Sequence, residues 1–88
     1  MDAKTEHGEL TVYKTLLNMV VCLVDYPEDV EIAIVPGERD RTFRIQTNPL
    51  DIGKLIGKQG RTARSIRTIV GAAAMKAGRR FHVDIVEA

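Results

Sequence analysis

The sequence predicts an α+β domain of order α-β-β-α-α-β, with a three-stranded sheet carrying three helices on one face. Three observations lead there. Apolar residues recur at helical spacing from Leu10 to Val24. Two-residue alternation appears around 30–34, 43–46 and 81–85. A helical region broken by Gly57 and Gly60 separates the second alternating run from the third. Eighty-eight residues suffice for one core and not for two.

Residues 1–9 are polar and read as a flexible N-terminal extension, which leaves 10–88 as the single domain. Leu10, Tyr13, Leu17, Val20 and Val24 follow one helical stripe, widened by Leu16 and Leu23. This predicts an amphipathic helix that stops before Pro27, with Met19 and Cys22 as packing residues. Val30, Ile32 and Ile34 alternate with Glu31 and Ala33 in a short strand that ends at Pro36-Gly37. Beyond the charged turn, Phe43 and Ile45 alternate with Arg44 and Gln46, so the two runs form an antiparallel hairpin.

Asn48-Pro49-Leu50-Asp51 opens a helix: Asn48 caps, Pro49 suits the first helical position, and Asp51 adds a carboxylate to the first turn. That helix is short, because Gly57 and Gly60 follow within three turns. A longer one runs from about Arg61 to Ala77 and ends at Gly78. At about 100° per residue, Thr62, Ile66, Ile69, Val70, Ala73 and Ala77 point to the core. Arg61, Arg64, Ser65 and Thr68 point away, with Arg67 at their flank. Phe81, Val83 and Ile85 alternate with His82 and Asp84 in the last strand.

The net charge of +1 conceals a division: residues 1–51 carry −5, residues 52–83 carry +8 without one acid, and residues 84–88 carry −2. A stretch so free of carboxylates suits a surface that meets an anion, whereas a merely solvated helix face alternates in sign. A single cysteine, Cys22, excludes an internal disulfide framework. No apolar run approaches the ~20 residues that span a bilayer, and no secretory leader is visible, so a cytoplasmic protein without membrane insertion is expected. One cysteine and two scattered histidines form no zinc pattern. No paired carboxylates and no nucleophile with a base nearby are visible, so neither catalysis nor a cofactor is expected.

The segment GKLIGKQGR, 53–61, concentrates the question of function. A nucleotide-binding P-loop needs four residues between its glycines, a hydroxyl after the lysine and a strand before the loop. Here Gly53 and Gly57 are separated by three residues, Gln59 follows Lys58, and a short helix precedes. The G-x-x-x-G spacing of membrane helices lacks its apolar context. Two readings remain. Gly57 and Gly60 simply end one helix and start the next, or they form a turn whose missing Cβ atoms admit a sugar-phosphate backbone. In the second reading Lys58 and Gln59 supply a cation and a neutral donor at the tip. The following helix aims its N-terminus at the phosphates, and Arg61 and Arg64 extend the positive path.

IGKLIGKQGRTARSIRTIV resembles the signature of KH domains: an aliphatic-Ile-Gly-x-x-Gly core with Ile66 six residues after the second glycine. The element order resembles the type II arrangement. LVDYPEDV, IRTIVGAAAMKAG and DIVE are similar to the short, single-domain bacterial members of the KhpA group, over nearly everything from Leu10 onward. The resemblance implies that Gly57, Lys58, Gln59 and Gly60 clamp about four nucleotides of single-stranded RNA or DNA. It places Ile52, Gly53 and Ile56 on a wall of the base groove, with Lys54 in the same segment and Arg61 and Arg64 at the rim. Ile66 and Ile69 match aliphatic family positions, but their helical phase makes them core.

The expected function is non-catalytic binding of single-stranded RNA by an RNA chaperone or post-transcriptional regulator. With two Phe, two Tyr and no Trp, base stacking on aromatic strands, as in an RRM, is not expected. The resemblance further implies a homodimer or a heterodimer with a KhpB/Jag-type KH protein, and roles touching cell division, cell shape and cell-wall biogenesis. Two alternatives stay open: a protein-interaction module using the same groove, and a ribosome-associated assembly factor.

Overall fold

The computed structural model describes residues 3–87. Helix α1 spans Ala3–Leu23, strand β1 Glu31–Pro36 and strand β2 Asp40–Gln46. Helices α2, Ile52–Ile56, and α3, Arg61–Ala77, follow, and strand β3, Arg80–Ile85, closes the fold. Single 3-10 turns at Pro27–Asp29, Pro49–Asp51 and Lys58–Gly60 join them. The predicted α+β order is the observed one.

The sheet has the order β1-β2-β3. β1 and β2 form the expected antiparallel hairpin, with Ile34 opposite Phe43, and Gly37 N–H donates to Asp40 O at 2.9 Å to close the turn. β3 lies parallel to β2, with Val83 beside Phe43. A parallel neighbour needs a crossover, which α2 and α3 supply. Alternation then sorts the side chains. Phe43, Ile45, Phe81, Val83 and Ile85 enter the core, while Arg44, Gln46, His82 and Asp84 stay exposed on the other sheet face. Phe43 and Phe81 meet edge to face, ring centres 5.3 Å apart, the arrangement aromatic quadrupoles favour.

Helix α1 departs from its sequence-based description in two ways. It begins at Ala3 rather than near Leu10, so the boundary read between residues 9 and 10 is not a break in the helix. Gly8 lies so close to α3 that a Cβ on it would fall 2.6 Å from Ala77 Cβ. Glu9 forms a largely buried ion pair with Arg41 at 2.6 Å. The buried face also differs: Val12, Leu16 and Val20 are in the core, whereas Leu10 is 52% and Leu23 40% exposed. Because α1 is apolar around much of its circumference, periodicity alone did not fix the centre of its buried arc.

Helix α3 packs along both α1 and β3. Ala63, Ile66, Val70, Ala74 and Ala77 are its buried residues, and Gly78 ends it in the left-handed conformation at φ 71°. Ile69, expected in the core, is 49% exposed instead. It sits at the margin of the buried arc, lining apolar depressions between α3 and α1.

Candidate nucleic-acid interface

The loop between α2 and α3 owes its shape to positive φ angles at Gly57 (77°), Gln59 (58°) and Gly60 (74°). Gly57, with ψ 170°, occupies a region open essentially to glycine alone. Gly57 N–H donates to Gly53 O at 2.9 Å, which closes α2, and Gly60 N–H donates to Gly57 O at 3.0 Å, which closes the loop. Arg61 then starts a 17-residue helix. The loop therefore lies at the positive end of α3.

Three cations surround this loop. Arg61 Nη2 donates to the Gln59 side-chain oxygen at 3.1 Å, and Arg64 Nη2 reaches the Gln59 carbonyl at 3.4 Å. Both arginines are exposed, as are Lys58 and Gln59 at the tip. Lys58 has neither ion pair nor hydrogen bond among the described residues, so its charge is free to meet an anion.

Lys54 stands apart from this group. Its Nζ lies 3.1 Å from Asp25 Oδ2 and 3.6 Å from Asp51 Oδ1. The hydrogen-bonded Asp25 carboxylate holds the ammonium above the usual lysine range. The lysine is thus engaged by two acids on the side of α2 that faces the connection after α1.

Asp51 anchors that connection. Its carboxylate is fully buried and accepts hydrogen bonds from the backbone N–H groups of Asp25 and Tyr26, each at 3.0 Å. Burial works to raise its pKa, but the two amides and the Lys54 charge outweigh it and hold the carboxyl below the usual range. Asn48 caps this turn as expected, accepting from Leu50 N–H at 2.9 Å, and its amide donates to Asp29 at 3.0 Å.

Beside the loop, a groove of about 440 Å³ runs between α3 and β3. Of the predicted site residues it gathers Ile56, Gly60 and Arg64. Gly57, Lys58, Gln59 and Arg61 form the adjoining loop and rim, whereas Ile52, Gly53 and Lys54 do not line the groove. The other side was not foreseen from the sequence: Arg67 from α3, Asp84 and Ile85 from the end of β3, and Glu87 just beyond it. The signal was available: two helices between strands imply a parallel crossover, which brings the last strand back beside its helix.

A family model described as KhpA/KhpB, KH domain, matches residues 14–85. The chain belongs to this family. The KH match takes in the loop, α2, α3 and the whole sheet. Among KH relatives, the chain is 43% identical over 74 residues to the RNA-binding protein KhpA of Clostridium acetobutylicum, covering 83% of this chain and 99% of that one. The protein of the same name from Clostridium perfringens is 48% identical over 64 residues, covering 73% and 85%. That of Streptomyces coelicolor is 42% identical over 74 residues, covering 84% and 90%. No helix among the described residues is long and apolar enough to cross a membrane.

Proposed function

We propose that this KH domain binds single-stranded RNA without catalysing a reaction on it, and that single-stranded DNA is a second ligand. One observation carries the reading: the positive-φ loop Gly57–Gly60, the exposed Lys58 and the α3–β3 groove meet at the N-terminal end of one helix. Backbone phosphates lie against the loop, where missing side chains permit close approach and the helix end, Lys58, Arg61 and Arg64 supply positive potential. Bases turn into the groove, where Ile56, Ala63 and Ile85 give them apolar surface. Relatives bearing the name RNA-binding protein support the same conclusion. The cellular role is that of a cytoplasmic RNA chaperone or post-transcriptional regulator.

Self-association, or pairing with a KhpB/Jag-type KH protein, completes the proposal. One small groove gives modest affinity, which a second site raises through effective concentration. An apolar depression between α1 and α3, lined by Met19, Cys22, Leu23, Ile66 and Ile69 and reaching Thr62 in the first turn of α3, supports a protein contact there.

Salt titration of binding to a short single-stranded RNA tests the clamp. Three to four phosphate contacts give a slope of log K against log salt of roughly −2 to −3. A slope near zero would favour a protein-interaction module instead.

A further inference from the structure

The α3–β3 groove has opposite chemistry on its two sides. Arg64 and Arg67, from α3, offer hydrogen-bond donors only. Asp84, near the end of β3, and Glu87, just beyond it, carry carboxylates that only accept. Their commitments differ. Arg67 Nε donates to Val83 O at 3.4 Å, which holds the guanidinium against β3 and leaves its two terminal nitrogens without a hydrogen-bond partner among the described residues. Asp84 is tied to Arg44 at 3.3 Å on the exposed sheet face. Glu87 has neither ion pair nor hydrogen bond among the described residues.

We propose, on the RNA-binding reading above, that Glu87 makes this groove select cytosine over uracil at one position of the bound strand. A single-stranded base is read on its Watson–Crick edge. Cytosine presents an amine at N4, which donates to a carboxylate, beside acceptors at N3 and O2, which suit a guanidinium. Uracil has the same size, yet it turns a carbonyl to the carboxylate and an N–H to the guanidinium. Both contacts then become repulsive. Guanine also carries donors and acceptors together, so the pyrimidine pair isolates the effect of the carboxylate without a change in size.

The test compares cytosine-only and uracil-only RNA hexamers by fluorescence anisotropy, on the full chain and on its Glu87→Gln variant. Wild type should bind the cytosine hexamer at least about fivefold more tightly, the lower end of what one specific pairing provides. In Glu87→Gln, whose amide both donates and accepts, the ratio should fall to within about twofold, chiefly through tighter uracil binding. Equal affinities in wild type, or an unchanged ratio in the variant, would overturn the proposal and leave the clamp standing. Failure of wild type to bind either hexamer or a mixed-sequence RNA would overturn both. Glu87 is exposed and lies beyond β3, so the variant should fold normally, and the wild-type comparison decides even without it.

Discussion

A Cβ on Gly57 would lie 2.8 Å from the backbone nitrogen of Thr62, in the first turn of α3. The loop thus folds back so tightly on its own helix that only glycine fits. Gly60 differs: its φ is also positive, at 74°, but a Cβ there meets nothing within 4 Å. Gly57→Ala should therefore cost roughly 2–3 kcal/mol, combining a backbone region closed to alanine with displacement of α3. Gly60→Ala should cost about 1 kcal/mol, the left-handed penalty alone. Urea denaturation of the two variants checks this, and equal costs would contradict the assigned loop geometry.

The buried Asp51 carboxylate ties the connection after α1 to the start of α2, and so to the loop that α2 presents. Asp51→Asn replaces one acceptor oxygen with an NH₂ group facing a backbone N–H, and the variant should melt roughly 10 °C lower at pH 7. The folded protein holds the Asp51 pKa below 3.8, the value for a free aspartate. Its stabilisation is therefore complete above that pH and is lost as pH falls through the lower folded value. Thermal melts from pH 7 to pH 2 should show the gap between wild type and variant narrowing only below about pH 4. A gap independent of pH would show that the carboxylate charge contributes nothing.

Ile69 is half exposed on α3 beside Leu23 and Met19 of α1. If this face meets a second copy or a KH partner, Ile69→Asp should preserve the melting temperature within a few degrees and shift the sedimentation coefficient to that of a monomer. RNA affinity per site should change little, since the loop lies elsewhere. An unchanged dimer in the variant would place the contact on another face.

Local pattern made much of this fold legible. Phe43, Ile45, Phe81, Val83 and Ile85 alternate with polar partners because one sheet face is buried and the other is wet. Asn48 announced its cap, and Gly57 and Gly60 announced a turn between two helices, because both are demands of a few adjacent residues. What stayed hidden depends on distant neighbours. Asp51 reads as an ordinary first-turn carboxylate, yet its partners lie 25 and 26 residues away. Lys54 reads as one more cation of a basic stretch until Asp25 is folded against it. The exposure of Ile69 and Leu10 follows from where α1 crosses α3, which neither helix records in its own periodicity. The Glu87 side of the groove likewise exists only once β3 returns beside α3.

The proposed clamp rests on the tip of the loop. Lys58 and Gln59 are exposed and take no part in the core, so changing both to Asp places two negative charges where phosphates should lie without disturbing the fold. Anisotropy with a short single-stranded RNA, alongside circular dichroism of the same sample, is the most direct measurement. The clamp predicts a native spectrum with RNA binding abolished. A native spectrum with unchanged RNA affinity would contradict it.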